Sequence, residues 1–175
     1  MDKQTDQYRA FWEYLSPNQR GLIMEGQYLM NDIIKDNAMH FKDYSFLVFP
    51  FAKAYEGFLK KLFKDIGFIS HLDYISDHLR LGKLMSPNLI GRLGERSLYK
   101  KIQDKTSVEL AERVWSSWKT GRNQIFHYFP HNLKAVTFKE AEAIVGEIIK
   151  TMQEVFEKLR TGYVLKRLQK QIAVV

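Results

Sequence analysis

Residues 44–66 read YSFLVFPFAKAYEGFLKKLFKDI, and this stretch decides the class of fold. Tyr44, Leu47, Val48, Phe51, Tyr55, Phe58, Leu59, Leu62 and Ile66 recur three or four residues apart. That is the rhythm of one buried helical face, not the two-residue alternation of a strand. Lys53, Glu56, Lys60 and Lys64 stand against the stripe. So heavy an aromatic load predicts the central core helix, with Gly67 ending it. Pro50 has no amide hydrogen to donate, so it either kinks this helix or marks a start just before it.

The same rhythm extends outward in both directions. Tyr8, Phe11, Trp12 and Leu15 predict a helix over Asp6 to Leu15, and Ser16-Pro17 reads as an N-cap with proline at the first helical position. Leu22, Ile23, Gly26, Leu29, Met30, Ile33 and Ile34 continue as one buried face to about Ala38. Downstream, Thr106 to Glu109 has the form of a capping box, followed by Val108, Ala111, Val114, Trp115 and Trp118 up to Gly121. Thr137 to Glu140 repeats that device ahead of a stripe from Ala141 to Leu159. Between His71 and Lys105 the pattern weakens to a short helix over Leu72 to Leu81, then glycines 82, 91 and 94 and Ser86-Pro87-Asn88. No run of sustained alternation competes. The expectation is an all-α fold, a single domain over 1–175 built as a bundle of four to five main helices with a short irregular basic connection.

Composition narrows the functional classes. The 175 residues include no cysteine, which excludes a disulfide framework and a thiolate metal site and is compatible with a reducing cytoplasm. The polar start, Met1 to Gln7, lacks the apolar core of a secretory signal. The run from Tyr44 to Ala52 is far shorter than the roughly 20 residues of a membrane span. The expected location is therefore cytoplasmic, away from the membrane. A net charge of +7 favours an anionic partner such as RNA. The irregular connection carries Arg80, Lys83, Arg92, Arg96, Lys100 and Lys101 against Asp77 and Glu95. It is either a solvated face or a phosphate-contacting surface whose affinity falls steeply with salt.

Chemistry-bearing residues concentrate in Thr120-Gly121-Arg122-Asn123-Gln124-Ile125-Phe126-His127-Tyr128-Phe129-Pro130-His131. Arg122 supplies a permanent planar cation, Asn123 a neutral donor and acceptor, and His127 a group that exchanges protons near neutral pH. That set suits phosphodiester chemistry. On an ideal helix of about 100° per residue, Asn123 and His127 share a face, whereas Arg122 and His127 lie about 140° apart. Three solutions remain: the backbone departs from ideal helix near Gly121, the arginine reaches round, or the pair meets across a dimer interface. Pro130 limits any helix beyond Phe129. Glu56 can hold Arg122 by a bidentate pair, or simply pair with Lys60 one turn along its own helix. His131 is a possible supporting residue. Its spacing from His127 is that of a helical metal pair, but the intervening proline spoils the helix and no carboxylate is close in sequence, so no metal or other cofactor is expected. His40, His71 and His78 read as structural or surface residues. Trp115, Trp118, Phe126 and Phe129 read as core or dimer interface rather than base-stacking groups.

Arg122-Asn123-x-x-x-His127 resembles the R-x(4–6)-H motif of the HEPN superfamily. The resemblance rests on these six residues and on the helical layout of the chain. It implies a small all-α bundle and a metal-independent endoribonuclease of the toxin or phage-defence type. Arg122 and His127 would take the catalytic positions, and Asn123 the polar position after the arginine. It also implies a homodimer with both motifs facing one cleft, and an antitoxin protein as a further partner. In that chemistry the ribose 2′-hydroxyl attacks the adjacent phosphorus, His127 moves a proton and Arg122 stabilises charge on the phosphoryl oxygens, leaving a 2′,3′-cyclic phosphate and a 5′-hydroxyl. Members controlled by nucleotidyltransferase antitoxins carry a tyrosine two residues after the histidine. This chain has Phe129 there and Tyr128 one residue early.

Two other classes compete with the ribonuclease. One is a non-catalytic helical module, HEPN-like or not, that binds RNA or a protein through the same basic surface. The other is a helical DNA-binding regulator, ranked last because no helix-turn-helix pattern is present.

Overall fold

The computed structural model describes residues 3–35, 40–128 and 130–160. All regular structure among them is helical: α1 (Lys3–Tyr14), α2 (Pro17–Lys35), α3 (Ser45–Asp65), α4 (His71–Ile75), α5 (Leu81–Leu84), α6 (Ile90–Leu93), α7 (Leu98–Lys105), α8 (Val108–Trp118) and α9 (Phe138–Val155). Short 3₁₀ turns and two π-helical turns, Lys119–Gln124 and Phe156–Arg160, join or extend them. Among the described residues α1, α2, α3, α8 and α9 run eleven residues or more, and none is both long and apolar enough to cross a membrane.

α3 is the axis of the molecule. Eleven of its 21 residues are buried, including Phe51, Tyr55, Phe58 and Phe63. Pro50 sits inside the helix without ending it, early in the chain of turns. The helix stops by a complete Schellman arrangement. Gly67, with φ 77°, donates its N–H to Lys64 O at 3.1 Å, Phe68 N–H reaches Phe63 O at 2.7 Å, and the two phenyl rings stack. Glycine is needed there because the left-handed backbone is costly for a residue with a Cβ.

Burial against α3 organises the other long helices. The buried Tyr55 hydroxyl donates to Val114 O on α8 at 3.1 Å, and Ser117 and Thr151 share a buried hydrogen bond of 2.7 Å that ties α8 to α9. Paired polar groups in a core cost little, whereas one left alone would cost roughly 1–3 kcal/mol. At the end of α1, Tyr14 donates to Asp65 Oδ2 at 2.7 Å, and Lys61 approaches the same oxygen at 2.9 Å. Burial opposes the charge on Asp65, but these hydrogen bonds outweigh it and hold the carboxyl below its usual range.

The predicted start of α2 holds: Ser16 Oγ accepts from Gln19 N–H, and Gln19 Oε1 accepts from Ser16 N–H, a reciprocal cap. Its predicted continuation to Ala38 lies outside the described residues. Leu29 and Ile34, assigned to the buried face of α2, are exposed. The helix expected over Leu72 to Leu81 is divided, because Ser76 is extended (φ −78°, ψ 131°) and stops α4. The cap of α8 is Ser107, whose Oγ accepts from Leu110 N–H, while Thr106 closes α7 by donating to Ile102 O. Thr137 and Glu140 form the capping box of α9 as expected.

Candidate functional site

The regular part of α8 ends at Trp118, and the chain continues as a π-helical turn over Lys119–Gln124. A π turn lengthens the hydrogen-bond step from four residues to five, and past Gln124 the chain leaves the helix altogether for a turn and a bend at His127, so the ideal-helix angle between Arg122 and His127 does not apply. The departure from ideal helix near Gly121 is therefore present in a single chain. Gly121 is buried, and a Cβ built on it would lie 2.7 Å from Ile148 Cδ1, so the widened turn rests directly on α9.

Arg122, Asn123 and His127 line one open cavity of about 640 Å³. Arg122 Nε is 3.0 Å from Glu56 Oε2, and the guanidinium carbon lies 5.1 Å from the centroid of the Trp118 ring. The other Glu56 oxygen is 3.2 Å from Lys60 Nζ. The two pairings that were alternatives in the sequence are thus both made, one to each oxygen. Both partners of the arginine pair keep some exposure, 45% for Arg122 and 24% for Glu56, so this contact contributes orientation more than stability, about 0–1 kcal/mol.

His131 does not join this group. It is exposed in the left-handed region (φ 58°, ψ 20°), just after Pro130, and does not line the cavity. Among the described residues no three His, Asp or Glu side chains gather as a metal site. His40, His71 and His78 are exposed. Trp118 is core and Trp115 packs against the core, whereas Phe126 is 39% exposed and lines the cavity, which excludes the core half of its core-or-interface reading. Phe129, assigned to core or interface, lies outside the described residues.

The opposite wall comes largely from α3, where Glu56 was expected to support the site and Phe49, Lys53 and Lys60 were not. Phe49, Lys53, Glu56 and Lys60 all line the cavity and recur at i, i+4, i+7 and i+11 along α3. Lys53, Glu56 and Lys60 are the charged residues that stand against the buried stripe of this helix, and Phe49 joins them on the cavity side. Phe49 packs edge-on to Phe126, with centroids 5.6 Å apart, leaving exposed ring surface beside the charged groups. Gln19 completes the wall from α2, held by its capping role at Ser16.

The six basic residues of the connection do not form one patch. Arg80 and Lys83 border Arg122, whereas Lys101 donates to Phe68 O at 2.8 Å and Lys100 pairs with Asp104 at 2.5 Å. Arg96 meets Arg80 and Lys83 in a second depression and Lys101 in a third, whereas Arg92 is exposed and lines none of them.

A site of this kind combines a fixed cation, a neutral amide and a proton-exchanging imidazole against an apolar wall. That is sufficient for acid–base chemistry on an anionic group carried by an aromatic or apolar substrate. No family model, curated protein or solved structure matches the chain.

Proposed function

We propose that the protein is a metal-independent endoribonuclease of HEPN type, acting as a homodimer as the toxin of a toxin–antitoxin or phage-defence system. The observation that carries this reading is the convergence of Arg122, Asn123 and His127 on one cavity, with Glu56 paired to the arginine. The 2′-hydroxyl of RNA attacks phosphorus, and the bond from phosphorus to the 5′-oxygen breaks. His127 takes the proton from the nucleophile or returns one to the leaving oxygen, and Arg122 stabilises the charge that develops on the phosphoryl oxygens. Asn123 positions the phosphate by hydrogen bonding. The exposed rings of Phe49 and Phe126 suit a stacked base of a single strand. A second copy would contribute the second histidine, so that one takes the proton while the other gives it.

The alternative is a module of the same fold that binds RNA or a protein without cleaving it. The deciding experiment is an RNase assay on single-stranded RNA in EDTA at low salt, comparing wild type with Arg122→Ala and His127→Ala. Under the enzyme reading, wild type yields 2′,3′-cyclic phosphate and 5′-hydroxyl ends. His127→Ala folds and binds RNA but does not cleave it. Intact RNA after incubation with wild type would leave the binding module as the better reading.

A further inference from the structure

A second cavity, of about 370 Å³, lies on the other side of Arg122. It shares Glu56, Arg122 and Asn123 with the first and adds Arg80 and Lys83 over a floor that includes Trp118. Its charge is unbalanced. Glu56 already divides its oxygens between Lys60 and Arg122, and Lys83 has no ion-pair partner among the described residues. Arg80 spends one nitrogen on Asp77 O, at 2.7 Å, and keeps its other donors.

The floor is formed by a buried indole. Trp118 is 3% exposed, and its Nε1 has no hydrogen-bond partner among the described residues. A buried indole N–H normally finds one. This nitrogen sits where Gly82 lines the cavity, and a Cβ on residue 82 would approach it to 2.6 Å. Gly82 therefore lies close against the indole and covers its N–H, so the cations, and not this donor, face the cavity.

We propose that this cavity is a phosphate subsite that holds the phosphodiester next to the scissile one on a single-stranded RNA. The inference rests on the ribonuclease reading for its substrate. Arg122 stands between the two cavities and so touches the reacting phosphate on one side and borders its neighbour on the other. Arg80 and Lys83 are binding residues in this scheme, and Arg92, Lys100 and Lys101 take no part.

The test uses the full chain carrying His127→Ala, which preserves the RNA, and fluorescein-labelled oligoribonucleotides with one, two or five phosphodiesters, followed by anisotropy over a salt series. The parent should bind more tightly as a second phosphodiester is added. Arg80→Ala with Lys83→Ala should abolish that gain and flatten the log–log salt slope by about 0.7 for each cation removed. Lys105→Ala, which removes one cation outside both cavities, should keep the gain. If the gain survives the double substitution, or Lys105→Ala erases it equally, the subsite is wrong. If the gain behaves as expected but wild type never cleaves RNA, the subsite stands and the ribonuclease reading falls.

Discussion

α3 and the turn that follows α8 are both lined with aromatic and charged side chains, yet they are held in opposite ways. α3 is regular from Ser45 to Asp65, and its shape follows from its own periodicity: one face goes to the core and its end is closed by Gly67 and Phe68. The segment from Lys119 to His127 departs from regular helix within a few residues, and external contacts hold it: Gly121 rests on Ile148, and Glu56 pairs with Arg122. A helix that buries a continuous apolar stripe is stable against local change. A turn held by a few specific contacts can place functional groups off the helical register, but each of those contacts becomes a point of failure.

The comparison can be broken most forcefully at its rigid side. Phe58 is fully buried at the centre of α3, so Phe58→Ala should destabilise the fold by about 3–5 kcal/mol, read as a lower denaturation midpoint in urea. A loss below about 1 kcal/mol would mean that α3 is not the axis of the core.

The next largest effect falls on the turn. Gly121→Val forces branched carbon into the contact with Ile148 and should cost about 1–3 kcal/mol, with loss of RNA cleavage. Adding Ile148→Val opens space and should recover part of both. If stability returns without activity, the geometry of the turn, and not simply its packing, is what the site requires.

Glu56→Gln separates orientation from stability. The exposed pair contributes at most about 1 kcal/mol, so the melting temperature should barely change. Cleavage should nevertheless fall, through kcat more than KM, because Arg122 loses its fixed direction. An unchanged kcat would show that the arginine needs no such support.

The smallest effect concerns acid. The Asp65 carboxyl is held below its ordinary value of 3.8, so the stability it contributes is present above that value and drains away as pH falls through the lower folded one. Urea midpoints should therefore decline below about pH 4, and Asp65→Asn should flatten that part of the profile. The same decline in Asp65→Asn would assign it to other carboxylates.

Much of the architecture was legible in the residues because burial of an apolar face imposes a period that can be read directly. That period located α1, α2, α3, α8 and α9, and short-range hydrogen bonding located the caps at Ser16 and Thr137. Where the apolar signal was weak the reading slipped. Ser76 interrupted an expected helix, and Ser107, not Thr106, capped the next one, because neighbouring hydroxyl residues compete for one role. The candidate site divides in the same way. Arg122, Asn123 and His127 stand out by chemical type, but Phe49, Lys53 and Gln19 have no chemistry that marks them before they meet in space.

By itself, then, the sequence determined an all-helical chain, the identity of its central helix and the short segment where reactive side chains collect. All three follow from local periodicity and from side-chain chemistry. Only the tertiary structure decided that Glu56 serves Lys60 and Arg122 together, that His131 stands apart, and that the basic connection contributes Arg80 and Lys83 beside Arg122. The physical reason is the π turn after Trp118. Its path depends on the close approach of Gly121 to Ile148, more than twenty residues along the chain, and no period in the local sequence encodes such a contact.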